Sequence, residues 1–118
     1  MPIRSARFPF QNKFITAVAP AVGVYALWEA DTIIFYGVAD QPEGLRGRLI
    51  THSQPGGPTC TRSASHFQVE PASRLITLQE RLDELLREHL IETRSYPRCN
   101  LPGRLVALGQ PIPLRRSW

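Results

Sequence analysis

Two runs of β-branched and aromatic residues stand close together in the first third of the chain. Val22-Gly-Val-Tyr-Ala-Leu-Trp28 and Thr32-Ile-Ile-Phe-Tyr36 both have the composition of strands. Only Glu29-Ala30-Asp31 separates them, so they predict an antiparallel hairpin. A turn centred on Ala30 sets Tyr25 directly opposite Phe35, on the same side of the sheet. Tyr36 then points to the other side, because side chains alternate along a strand. Further on, Ser65-His-Phe-Gln-Val-Glu70 alternates and predicts a third strand, ended by Pro71.

Two stretches carry helical spacing. Asp40-Gln-Pro-Glu43 has the form of a capping box, with Asp40 accepting from the backbone and Glu43 reaching back. Behind it Leu45 and Leu49 form an apolar pair four residues apart. Arg48 and His52 share a second face at the same spacing. The longer helix is expected from about Ser73 to Arg94, with Leu75, Leu78, Leu82, Leu85 and Leu86 on one stripe. His89 falls inside that stripe and reads as a packed histidine. Glu88 falls on its shoulder, and Pro97 stops the pattern.

The elements give an α+β (α/β) domain: a small three-stranded antiparallel or mixed sheet flanked by helices, in the order β-β-α-β-α. It occupies 21–100. Residues 1–20, with Pro2, Pro9 and Pro20, read as an N-terminal arm whose Phe8, Phe10 and Phe14 pack down on the domain. Residues 101–118, with Pro102, Pro111 and Pro113, read as an extended tail. Eleven prolines forbid one long helical bundle.

Composition narrows the function classes. At 118 residues the chain holds one sizeable core. Fourteen Lys+Arg against ten Asp+Glu leave +4, a balance that suits a polyanionic partner and equally serves solubility. Cys60 and Cys99 make no CxxC pair and are read as two free thiols in a reducing compartment, which places the protein in the cytoplasm. Phe14 to Trp28 carries no charge, yet it is shorter than the roughly 18–20 residues of a membrane span. Pro20 interrupts it, so no membrane association is expected.

Four features recur in one order: Gly23-Val24-Tyr25, then Phe35-Tyr36-Gly37, then Arg48 with His52, then Glu88 followed by Leu90-Ile91 and Pro97-Arg98-Cys99-Asn100. In this order the chain resembles the GIY-YIG nuclease superfamily, which includes the incision subunit of bacterial nucleotide excision repair and homing endonucleases. The resemblance covers residues 23–100. Singly, each residue has a plainer reading. Tyr25 suits a strand tyrosine packed on Phe35, and Arg48 and His52 suit a solvated helix face. Glu88 suits a surface carboxylate, and Asn100 a turn residue. Jointly they fall in register with one pattern.

The resemblance implies a GIY-YIG-like fold and a divalent-metal-dependent endonuclease that hydrolyses DNA phosphodiester bonds. It implies Mg²⁺ (or Mn²⁺) held by Glu88 as the one metal ligand, with the cation stabilising developing charge. It casts Arg48 on the scissile phosphate and Tyr25 as the group that positions or activates water. His52 becomes a proton relay or phosphate donor, and Asn100 a residue that fixes the geometry. Phosphate contacts are expected from Arg46, Arg62 and Arg98. Specificity would come from a protein partner or from homo-oligomerisation.

The chain departs from the family at the second signature tyrosine. Phe35 stands in its register, Tyr36 is one residue off, and only a bulge would bring it round. Val38 stands where repair members often carry a lysine, and the loop from Gly37 to Arg48 is longer than usual. If the absent hydroxyl oriented the water, activity falls by roughly 10²–10⁴. A second reading therefore stands beside the first: a non-catalytic nucleic-acid-binding module on the same fold.

Overall fold

A computed structural model of the chain describes residues 1–100. Its elements are β1 (Phe8–Pro9), α1 (Asn12–Ile15), β2 (Gly23–Glu29), β3 (Thr32–Ala39), α2 (Gly44–Ser53), a 3₁₀ turn (Cys60–Ser63), β4 (His66–Pro71) and α3 (Leu78–Thr93). The strands form one antiparallel sheet in the order β1-β4-β2-β3. The fold is mixed α+β, with four strands among the described residues where three are expected from the sequence. The fourth is the two-residue β1, which pairs Phe8 with Phe67. Its aromatic neighbours fix it there: Phe8 and Phe10 lie 5.8 and 6.3 Å from the Phe67 ring. The N-terminal residues are part of the packing, since Ile3 and Ile15 are buried. The proline-containing tail, 101–118, lies outside the described residues.

The β2–β3 hairpin forms as expected but in a different register. Glu29 pairs with Thr32 across a two-residue turn in which Ala30 takes φ 53. The register then shifts between Leu27 and Trp28, because Trp28 pairs with Ile33 and Leu27 with Phe35. Ile34 is the extra residue of a β-bulge. Ile34 and Phe35 consequently bury on the same face, while Tyr36 buries on the other. Tyr25 therefore sits opposite Gly37, not Phe35. The Tyr25 and Phe35 rings still touch diagonally, with centroids 5.9 Å apart. The bulge precedes Phe35, so it leaves Tyr36 on the far side.

Each face of the sheet has its own helix. α2 covers the face of Tyr25, Leu27 and Phe35 through Leu45 and Leu49. α3 covers the opposite face, that of Val24, Ala26 and Tyr36, through Leu82, Leu85 and Leu86. Burying one such leucine contributes about 1.5–3 kcal/mol. The Arg81 guanidinium fixes α3 to β4 through two bonds to Glu70, at 2.6 and 2.9 Å.

The helix starts differ from expectation. No capping box forms at Asp40 and Glu43: the Asp40 carboxylate accepts from its neighbour, Gln41 N–H, at 2.7 Å. Backbone carbonyls take over the capping, as Gly44 N–H bonds Asp40 O and Leu45 N–H bonds Ala21 O. Gly44 has φ +70 and approaches Pro20 so closely that a Cβ would lie 2.7 Å from the Pro20 oxygen, so only glycine fits. The capping box lies instead at Thr77 and Glu80, and α3 starts at Leu78, not near Ser73. Leu75 is thus outside the helix and 96% exposed.

Cys60 and Cys99 form a disulfide, where two free thiols are expected from the sequence. Their separation of 39 residues hides the pairing from the sequence. By the chain-entropy relation such a bridge contributes about 4 kcal/mol. Among the described residues no helix is long and apolar enough to cross a membrane.

Candidate functional site

Three of the residues singled out from the sequence converge on the α2 face of the sheet. Tyr25 comes from the middle of β2 and is fully buried. Arg48 and His52 come from consecutive turns of α2, whose Leu45 and Leu49 anchor it to the same face. The Tyr25 hydroxyl lies 2.7 Å from His52 Nε2. The close approach depends on Gly37, where a Cβ would stand 2.5 Å from that hydroxyl and 2.4 Å from Cζ. Phe35 closes the cluster, its ring 5.2 Å from the imidazole. An apolar ring therefore stands within the cluster, packed on both Tyr25 and His52.

A fourth group, absent from the sequence-based expectations, completes the constellation. His52 Nδ1 lies 2.8 Å from the hydroxyl of Thr61, which is buried in the 3₁₀ turn. Thr61 in turn reaches the Pro58 carbonyl at 3.4 Å. One direction of donation gives every hydrogen an acceptor: Tyr25 O–H to His52 Nε2, His52 Nδ1–H to Thr61 Oγ1, and Thr61 O–H to Pro58 O. No local pattern links a threonine nine residues beyond His52 to the site, because a Gly-Pro loop intervenes.

Electrostatics set the protonation of the pair. Burial pushes the Tyr25 phenol up to about 12, against the pull of the adjoining Arg48 guanidinium, with Glu43 adding a smaller push upward. Burial and then the Arg48 charge bring His52 down to about 4. At neutral pH the site therefore holds a neutral phenol, a neutral imidazole and one cation. Arg48 Nε is buried and makes no hydrogen bond to any described residue, so this cation has an unused donor.

Glu88 and Asn100 are elsewhere. Glu88 belongs to α3, on the opposite face of the sheet. Its carboxylate accepts from the Met1 α-ammonium, which also pairs with Glu84 at 3.6 Å. Asn100 is fully buried at the outer edge of β3, where it accepts from Tyr36 N–H at 2.7 Å and donates to Tyr36 O at 2.9 Å. It completes the edge of the strand and does not reach Tyr25. Among the described residues no three acidic, histidine or cysteine side chains cluster to hold a metal ion. The carboxylate whose field reaches the Tyr25 phenol is Glu43. The residues present thus do not fit a metal centre that joins Glu88 to Tyr25 and Arg48.

The three further arginines are each anchored. Arg46 Nε donates to Val18 O at 2.7 Å, and Arg62 donates to Pro55 O at 2.6 Å. Arg98 grips Glu29 at 2.6 and 3.3 Å and Ser63 at 2.7 Å. That contact holds the Glu29 carboxyl down at about 2. Arg98 is accordingly neutralised by its partner, whereas Arg62, bonded to a backbone carbonyl, keeps an exposed charge. Comparison of the chain with protein-family models, with curated proteins and with solved structures finds no match to any of them.

Proposed function

We propose that the chain is a nucleic-acid endonuclease whose phosphodiester chemistry is centred on Tyr25, Arg48 and His52. The observation that carries this reading is their convergence: a phenol hydrogen-bonded to a neutral imidazole, with a half-buried guanidinium beside it. Nε itself is shut off from solvent, but Arg48 as a whole is only half-buried, and its planar guanidinium suits a phosphate diester.

The electrostatics couple binding to proton transfer. The Arg48 charge helps keep His52 from accepting a proton. A phosphate docked on Arg48 offsets that charge and makes the imidazole more basic. The Tyr25 proton is already aimed at Nε2, so as it moves to His52 the phenol oxygen takes a proton from an attacking water. The water oxygen bonds to phosphorus, the phosphorus–oxygen bond to one sugar breaks, and the departing sugar oxygen takes a proton from solvent. The stabilisation of developing negative charge comes from Arg48. No step is assigned to Glu88 or to a metal ion.

One observation favours the second reading, a module that binds nucleic acid without cutting it. Tyr25 is fully buried, and the half-buried Arg48 is the part of the centre that a ligand meets first. In that reading Tyr25 and His52 only support Arg48.

Two assays on the same protein separate the readings. One is nicking of supercoiled plasmid with Mg²⁺, with Mn²⁺ and with chelator. The other is anisotropy of a labelled duplex at rising salt. The endonuclease predicts nicking that falls roughly 10²–10⁴ in Tyr25→Phe, the size of a positioned proton-transfer group. Salt-dependent binding without nicking would establish the binding module, and absence of both would overturn the proposal.

A further inference from the structure

We infer that Thr61 is a positioning residue for the Tyr25–His52 pair, holding the imidazole in the tautomer whose Nε2 is free to accept the Tyr25 proton. Its consequence for cleavage rests on the endonuclease reading, but the structural claim is independent of it. An imidazole hydrogen-bonded at both nitrogens presents a lone pair on one of them only. Which one is set by the partner of the other. Thr61 Oγ1 stands 2.8 Å from Nδ1 and has the Pro58 carbonyl as acceptor for its own hydrogen. The opposite direction would have His52 Nε2 donate to the Tyr25 oxygen and leave the Tyr25 hydroxyl hydrogen without an acceptor, since the adjoining Arg48 can only donate. Thr61 is therefore the acceptor toward His52, and Nδ1 carries the proton.

The fold holds Thr61 in place from both sides. A four-residue 3₁₀ turn has little stability of its own. The Gly-Pro loop that joins it to α2 supplies no regular element. The turn is instead fixed to the β2–β3 hairpin. Cys60, next to Thr61, is bonded to Cys99, and Cys99 N–H bonds Ile34 O on the edge of β3 at 2.8 Å. At the other end of the turn, Ser63 accepts from Arg98, which also grips Glu29 of β2. Asn100 then pins the same segment to Tyr36. Residues 98–100 therefore brace the turn against the strands that carry Tyr25 and Phe35. This gives Asn100, whose own bonds are to the Tyr36 backbone, an indirect link to the site.

The test is the ¹⁵N NMR spectrum of the His52 ring at neutral pH, in the folded protein with its disulfide intact and no nucleic acid present. Wild type is expected to show a single tautomer protonated at Nδ1. Thr61→Val keeps the shape and removes the acceptor, so it should lose that single-tautomer signal. Thr61→Ser restores the hydroxyl and should restore it. A wild-type ring protonated at Nε2 would overturn the inference, as would a Thr61→Val spectrum identical to wild type. If Thr61→Val does not fold, wild type and Thr61→Ser decide it through the Nδ1–H signal they are expected to share. Because no cleavage is measured, failure of the endonuclease reading leaves this result standing.

Discussion

Replacing Gly37 with alanine attacks the site at its tightest point. The added Cβ would stand 2.4 Å from Tyr25 Cζ, 2.5 Å from its hydroxyl oxygen and 2.7 Å from Phe35 Cε2. Both rings are buried on the same face and packed on His52, so neither moves freely. Overpacking of this kind costs about 1–3 kcal/mol. Displacing the phenol also lengthens the 2.7 Å bond to His52 and leaves a buried imidazole nitrogen unpaired, a further loss of about 1–3 kcal/mol. The lower entropy of the unfolded chain offsets about 0.4–1 kcal/mol. The net expectation is a destabilisation of about 3 kcal/mol. Urea unfolding of wild type and Gly37→Ala at pH 7, with the slope checked for constancy, measures it. A midpoint unchanged in the variant, with the Tyr25–His52 contact intact by NMR, would refute the argument that Gly37 makes room for the hydroxyl.

Further outcomes follow from the same geometry. His52 sits at about 4 in the folded chain against about 6.5 when unfolded, so unfolding takes up a proton between those values. Stability is then full above pH 6.5 and falls as pH drops through the window, by about 2 kcal/mol from pH 7 to pH 5. Urea midpoints at the two pH values read this loss, and a flat profile would contradict the buried neutral imidazole. Asn100→Ala removes both bonds to the Tyr36 backbone and should destabilise by about 2–4 kcal/mol, with amide exchange at Tyr36 accelerating most. Glu88→Ala breaks only a part-exposed pair with the chain terminus and should shift stability by less than about 1 kcal/mol in the same titration.

Much of this was legible in the residues, and the failures have identifiable causes. β-branched and aromatic runs announce β2 and β3, and the four-residue spacing of Leu45 and Leu49 announces α2. The register was not legible: the bulge falls within Ile33-Ile34-Phe35, where every residue is apolar and alternation carries no signal. Tyr36 nonetheless lies on the face expected for it. The two capping-box signatures look alike in sequence. At Asp40 the backbone carbonyls of Asp40 and Ala21 already occupy the first N–H groups of α2, so the true box is the one at Thr77. β1 is too short to show a period.

At the site, periodicity shows only that Arg48 and His52 share a face of α2 and that Tyr25 lies on one face of its strand. Their grouping with Glu88 and Asn100 comes from the resemblance, and it fails at the placement of Glu88. Helical spacing places it on the shoulder of α3 but does not say which face of the sheet α3 covers. Thr61 and the Cys60–Cys99 bridge depend on contacts between segments joined by irregular loops, where no period exists to read.

The proposed centre lies on the α2 face of the sheet, across the sheet from Glu88. Plasmid nicking by Arg48→Ala and Glu88→Ala, measured beside wild type in the same buffers, tests it most directly. On that placement, loss of nicking in Arg48→Ala and wild-type nicking in Glu88→Ala are expected. Nicking abolished by Glu88→Ala and retained in Arg48→Ala would contradict it.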